Sequence, residues 1–283
     1  MNEIVKYDNY MNSLKFSGFT PTDYNFLMVL CNKLRDKDTA EIVISFDELR
    51  EKTGYTQHPL KQFTTDLIRM NSKLMKVNCV LEKDGTLYQF VLFPTFATDT
   101  INKRLIIAVN EQFKFILNDL TKNFTRFELN EFVKLDSKYA KSLYRLLKQF
   151  KHTGWLEISV ENFKNRMDCP DSYTNKHVMD KIIKPSFQEL KKHFQNLKCE
   201  PQYARKRGKP VIGYIFTFIP EKRECESNKK QEKKKQKFKN NLEKYNSFPQ
   251  RTYDYDALEK ALLTDRMDEF FENMHSVQPK DDF

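Results

Sequence analysis

The chain has 283 residues, 13% of them aromatic and 31% charged, with a formal net charge of +10. That length suits one large or two ordinary domains, and only six glycines and ten prolines exclude a collagenous or linker-dominated chain. The positive excess favours a polyanion (DNA, RNA or an anionic surface) without choosing among them.

The first predicted element is a helix opening at Thr20, a capping residue, with Pro21 in the first turn and Asp23 complementing the dipole. Tyr24, Leu27, Met28, Cys31 and Leu34 recur along it at helical spacing. Ala40 to Ile44 reads as a strand, and Ser45 and Glu48 form a capping box for a short helix reaching Lys52. Gly54-Tyr55-Thr56 marks a turn before a longer helix with Leu60, Phe63, Leu67, Met70 and Leu74 on one face. Val77 to Leu81 and Leu87 to Phe93 then flank Asp84-Gly85, a hairpin signal. Helix, strand, helix, turn, helix and hairpin is the order of a winged helix, whose later helix suits a major groove.

Ile101 to Val109 reads as a strand, Glu111 to Leu120 as a helix and Phe124 to Val133 as an extended linker. The winged-helix order then returns. A helix capped at Asp136 or Ser137 carries Tyr139, Leu143, Leu146, Leu147 and Phe150 on one face, with Lys138, Lys141, Arg145, Lys148 and Lys151 expected largely away from it. Trp155 to Val160 is a strand, Ser159 opens a short helix ending near Met167, and a loop follows to Tyr173. A long helix with Val178, Ile182, Phe187, Leu190 and Phe194 should kink or restart at Pro185. Leu197 to Tyr203 and Pro210 to Phe218 flank a basic turn. Ile44-Ser45 echoes Ile158-Ser159, and Tyr55-Thr56-Gln57 echoes Tyr173-Thr174-Asn175, so an internal duplication is expected.

The expected fold class is therefore α+β: two tandem winged-helix domains, residues 1–122 and 123–220, followed by a flexible basic tail, 221–283. Within that tail the Lys-rich run Lys229 to Lys239 cannot bury a core, and Tyr253 to Asn273 reads as a short amphipathic helix.

The candidate DNA-binding residues gather at the second later helix and its wing. Tyr173, Thr174, Asn175, Lys176 and His177 open that helix, where amides suit adenine and Lys suits guanine or phosphate; Lys181 and Lys184 extend the basic face. Arg205, Lys206, Arg207 and Lys209 crowd the hairpin tip, a place with no packing use for four cations and the point where a wing meets the backbone or minor groove. In the first half Gln57, His58, Lys61, Gln62 and Lys73 are the analogous residues, beside a less basic tip at Lys83-Asp84-Gly85. That half is expected to serve dimerisation and auxiliary contact.

Catalytic signals are poor. The five histidines form no His-x-His pair, no phosphate-binding loop is present, and the five cysteines (Cys31, Cys79, Cys169, Cys199, Cys225) include no C-x-x-C. No metal, no cofactor and no enzymatic activity are expected. Met1 to Lys15 lacks an apolar signal core and no stretch reaches membrane-helix length, which points to a cytoplasmic protein without a membrane partner.

The run from Leu135 to Phe150, LDSKYAKSLYRLLKQF, resembles the signature helix of the iteron-binding plasmid replication initiators, and Ile158-Ser159-Val160, Ile183-Lys184-Pro185-Ser186 and Gly213 to Phe218 strengthen the resemblance. It implies two related winged helices that bind directly repeated origin sites (iterons) in double-stranded DNA and promote opening of an adjacent AT-rich region. It also implies dimers that repress their own gene, and the host replication initiator and replicative helicase as partners. Most base contacts would fall to Tyr173 through Lys184, with Arg205 to Lys209 as the wing. A simple winged-helix repressor is the first alternative; a rolling-circle nicking enzyme is the second, disfavoured by the missing His-x-His.

Overall fold

Each half of the chain spends its apolar stripes on the same construction, three helices closed by a three-stranded antiparallel sheet. A computed structural model describes residues 3–222 apart from 78, 84 and 206. The Lys-rich run, the tail helix, Cys225 and Lys206 lie outside the described residues.

In the first half, α1 (Pro21–Leu34) begins on a reciprocal capping box between Thr20 and Asp23, and Asp23 through Cys31 are all buried. Strand β2 (Ile42–Ser45) leads into α2 (Phe46–Thr53), capped by the Ser45 hydroxyl and stopped by Gly54 at φ 71°, where a residue without Cβ takes the left-handed conformation. Helix α3 (Leu60–Leu74) buries Phe63, Leu67, Met70 and Leu74 of the expected stripe, with Leu60 half-buried.

The hairpin after α3 is not the wing. Strands β3 (Cys79–Lys83) and β4 (Thr86–Phe90) pair only with each other, while β2 pairs with β6 (Arg104–Ala108), which pairs with β5 (Thr95–Asp99). The first wing tip is thus residues 100–103 rather than Lys83-Asp84-Gly85. The Asp-Gly turn is the stronger local signal, but membership of the sheet depends on pairing with a strand about sixty residues earlier, for which Ile44 faces Leu105. Glu111–Ile116 is a 3-10 helix, shorter than the helix expected there.

The linker is not extended throughout either. Its first part, β7 (Phe124–Glu128), pairs antiparallel with β1 (Ile4–Asp8), from Ile4 opposite Glu128 to Asp8 opposite Phe124. Its second part forms the short helix α4 (Leu129–Val133). Helix α5 (Lys138–Gln149), capped by Ser137, starts the second half, followed by β8 (Trp155–Ser159) and α6 (Val160–Arg166), capped by Ser159. The later helix is split. A first turn, α7 (Asn175–Val178), passes into a π-helical turn, Met179–Ile183, and resumes as α8 (Lys184–Leu190). Pro185 explains the break: it has no N–H to bond the carbonyl four residues back, and its ring crowds that carbonyl, so the chain widens and the Lys184 N–H reaches Met179 instead. Strands β9 (Lys198–Tyr203) and β10 (Val211–Thr217) complete a sheet ordered β8-β10-β9, the same order as β2-β6-β5.

Three of the cations of α5 do not face solvent, while Lys138 is half-buried. Lys141 is 0% exposed, Arg145 4% and Lys148 8%. Sequence periodicity separates them from the Leu stripe, but that face is covered too: Arg145 by the first half, Lys141 by α4, and Lys148 by Glu131 and Glu221. Arg145 donates to the Tyr7 hydroxyl at 3.1 Å and to the Met11 carbonyl at 2.8 Å, and its guanidinium lies 4.9 Å from the Phe16 ring centre. Asn12 donates to Thr125 at 2.8 Å and Gln149 at 3.1 Å, and Ser142 to the Tyr24 hydroxyl at 2.9 Å. A buried polar network therefore joins the halves, and each partner is held by others in the set. Lys141 caps the end of α4 through the carbonyls of Phe132 (2.7 Å) and Val133 (3.3 Å), and burial pushes its ammonium down to about 7. Glu131 is held down to about 2 by His193, with the Tyr144 hydroxyl and Lys148 adding to it against burial. Glu221, expected to begin the tail, pairs with Lys148 (2.8 Å) and Lys151 (3.0 Å) and closes the second half.

Candidate nucleic-acid interface

Thr174 caps the first turn of α7. Its hydroxyl accepts from the His177 N–H at 3.4 Å, and the His177 ring accepts from the Thr174 N–H at 3.4 Å. Tyr173 is half-buried; its ring lies 5.6 Å from His177, and the Lys181 ammonium sits 5.1 Å from the centre of the same ring. The turn before the helix thus orients two polar side chains outward through one aromatic.

Beyond the cap, burial alternates with the helical turn. Val178, Ile182, Ile183 and Ser186 are buried, while Lys176, His177, Asp180, Lys181 and Lys184 are exposed. Offsets of about four residues place these five on one outward face, a cationic strip interrupted by a single carboxylate. Lys184 and Asp180 make an ion pair of 2.7 Å, and that hydrogen bond holds the Asp180 carboxyl below its ordinary value. Asn175 does not join the strip. Its amide donates to the Val211 carbonyl and accepts from the Tyr214 hydroxyl, both at 3.4 Å, so it ties the helix start to β10.

The second wing follows directly. The Ala204 N–H donates to the Pro210 carbonyl at 2.9 Å, closing a loop in which Gly208 and Lys209 both take positive φ (83° and 40°). Arg205, Arg207 and Lys209 are exposed there, and none makes an ion pair among the described residues. Gly213, just past the loop, admits no side chain: a Cβ would come within 2.8 Å of both the Gln202 amide oxygen and the Ile158 carbonyl. The strands approach closely at that point, beside the register shift between Val211 and Gly213.

The first-half candidates disperse. Gln57 and His58 lie in the turn before α3, not on it, because His58 precedes Pro59, whose ring disfavours helical backbone in the residue before it. His58 packs on the Tyr55 ring at 4.5 Å, and its carbonyl accepts from Arg50 at 2.7 Å. Lys61 and Gln62 are exposed on the first turn of α3, with Gln62 donating to Asp66 at 3.1 Å. Lys73 turns inward to the buried Asp23 at 2.6 Å and locks α3 to the cap of α1. The first wing tip, which sequence reading missed, offers Lys103 and Arg104 on exposed backbone. Nothing local marked it; only the pairing of β2 with β6 does.

Among the described residues no group of three or more His, Cys, Asp or Glu side chains is placed to hold a metal, and no helix is long and apolar enough to cross a membrane. Cys31, Cys79, Cys169 and Cys199 are free thiols.

Residues 4–148 match the family model described as Initiator Replication protein, WH1, and residues 159–218 match Initiator Rep protein, WH2. The chain is 37% identical over 225 residues to the probable replication protein rep of Bifidobacterium longum (strain NCC 2705), a match that covers 78% of this chain and 74% of that protein. Its fold is similar to that of the Pi initiator protein, whose crystal structure holds iteron DNA: the TM-score is 0.58 at 16% identity, over 78% of this chain and 99% of the other. At that identity the likeness speaks for the fold.

Proposed function

The chain belongs to the initiator replication protein family, and on that premise we propose that it binds directly repeated sites in the double-stranded DNA of its origin and promotes opening of the duplex nearby. The observation that carries this reading is the second half's outward surface. A strip of Lys176, His177 and Lys181 lies on the later helix, and the exposed Arg205, Arg207 and Lys209 stand at the tip of the neighbouring wing. A helix of this kind reads base edges while the wing neutralises phosphates. The Pi initiator, which shares the fold, was crystallised with iteron DNA.

Residues 123–220 are the main reading unit in this proposal and residues 1–122 the auxiliary one. Lys176, at the helix start, takes the base-reading role, Lys181 faces phosphates, and Asn175 positions the helix that carries them. The protein acts without covalent chemistry, by binding adjacent repeats, deforming the DNA and recruiting the host initiator and helicase. A second copy of the chain represses the gene as a dimer. The exposed Ile68, Met75 and Leu87 of the first half (50%, 63% and 62%) are apolar surface that such a copy would cover.

Footprinting of the full chain on the DNA flanking its own gene tests this. Protection of several evenly spaced direct repeats is the expected result. Protection of a single inverted repeat would make the protein a simple repressor, and metal-dependent nicking of supercoiled DNA would make it an enzyme.

A further inference from the structure

Ile101 is 89% exposed, more than any other large apolar side chain among the described residues; Met75 follows at 63%. It occupies the tip of the first wing, between β5 and β6. Tight turns favour Gly, Asn, Asp, Ser and Pro, each for a local reason, and a β-branched apolar residue has none of those reasons. A lone exposed isoleucine is ordinary on a protein surface. What is not ordinary is the rigidity of its mount.

The Asp99 carboxylate accepts from the Asn102 backbone N–H at 3.0 Å, from the Asn102 amide at 2.8 Å and from Arg104 at 2.9 Å. These bonds hold its carboxyl down to about 2. The Phe46 N–H donates to the Lys103 carbonyl at 2.9 Å and ties the far side of the turn to the start of α2. Lys103 itself is locked at φ 51°. The turn is stapled on both flanks while its apolar residue touches solvent, and exposed cationic residues stand beside it at Lys103 and Arg104.

We propose that Ile101 is a wedge: on the bound repeat it enters the minor groove and opens one base step. Apolar side chains at cation-flanked tips do this, trading stacking for a bent duplex, and a wedge must be rigid to avoid folding back on its own protein. The two wings then divide the work. The cationic second tip grips phosphates, while the first, with one apolar residue and fewer free cations, deforms the duplex. The inference rests on the DNA-binding reading above.

The probe is a duplex copied from the segment that the full chain protects beside its own gene, with 2-aminopurine replacing one adenine at a time. Wild-type protein should raise the fluorescence at one step, the mark of unstacking. Ile101→Ala should still shift the duplex in a gel and lose that rise, Ile101→Leu should keep it, and Ile101→Lys should bind random duplex more tightly without it. A wild-type complex with no rise at any step, or a rise that Ile101→Ala leaves intact, overturns the wedge while DNA binding stands. The same holds if Ile101→Ala alters only the sedimentation of free protein, which would make the tip a contact between copies. Failure of the wild type to bind any duplex from the flanking DNA refutes the DNA reading itself and takes the wedge with it.

Discussion

Asp180 stands alone among cations on the outward face of the later helix, and its removal should strengthen DNA binding in a way that salt reveals. Each phosphate neutralised on duplex DNA contributes about −0.9 to the slope of log K against log[salt]. Lys181, Arg205 and Arg207 are exposed without an ion pair, so each is available for a phosphate, whereas Lys184 is already paired with Asp180 at 2.7 Å. Replacing Arg205 and Arg207 together should flatten the slope by about 1.8. Lys184→Ala should change it by no more than about 0.3, because its charge is matched before DNA arrives. Asp180→Asn should steepen the slope by up to about 0.9, by releasing Lys184 and removing a like charge from the phosphates. Fluorescence anisotropy of the full chain on the footprinted duplex, from 50 to about 300 mM salt, reads all three. If Lys184→Ala flattens the slope as much as Lys181→Ala, or Asp180→Asn leaves it unchanged, the strip is not facing phosphates and the helix placement is wrong.

Arg145→Ala leaves the Met11 carbonyl unpaired and empties a cage formed by the rings of Phe16, Tyr7 and Tyr24. Urea unfolding should show a loss of about 3–5 kcal/mol, and a loss under about 1 kcal/mol would mean the halves are joined elsewhere. Lys141 has a folded-state value of about 7 against an ordinary 10.5. Between those values the unfolded chain holds a proton that the folded chain lacks, so stability rises with pH across that window; below it both states are protonated and the burial cost stands in full. Wild type should therefore gain on Lys141→Met by up to about 3 kcal/mol from pH 7 to 9.5, and parallel curves would show that the amine keeps its proton. Gly213→Ala forces a Cβ against the Ile158 carbonyl at 2.8 Å. It should cost about 1–3 kcal/mol and weaken DNA binding by tilting the wing, as thermal unfolding and anisotropy together would report.

What was legible in the sequence was local. The caps at Thr20, Ser45, Ser137 and Ser159, the apolar stripe of α3 and the break at Pro185 all follow from residues within a turn or two of one another. What was not legible depends on distant partners. Strand β1 has a short alternating pattern, with Val5 and Tyr7 inward, but its mate β7 lies more than a hundred residues away. The first wing was misplaced because Asp84-Gly85 outcompetes residues 100–103 as a turn signal, and only β2 decides between them. The cations of α5 looked like an outer face because periodicity separates one side of a helix from the other without saying whether both are covered. Asn175 and Lys73 have a residue type and a helix position that suit a DNA contact. In the structure Asn175 is drawn inward by Val211 and Tyr214, and Lys73 by Asp23.

The burial of Lys141, Arg145 and Lys148 bears on how an initiator of this build would work. A net charge of +10 suggests a broadly attractive surface, yet several of the cations hold the protein together. Lys52 pairs with Glu3, Lys73 with Asp23, and Lys148 and Lys151 with Glu221. Arg145 is the cation that stiffens the joint between the halves, where its network and the pairing of β1 with β7 both cross. Buried charged hydrogen bonds favour one arrangement over its neighbours, because a shifted joint would strand a guanidinium or a carbonyl away from water. Two wings on a stiff frame would meet a duplex at a fixed separation. Any mismatch with straight B-form DNA must then be absorbed by the DNA, whose bending over a site of this size costs a few kcal/mol and is repaid by added contacts. Stiffness in the joint, rather than motion of the protein, is what would turn binding energy into strain at the origin.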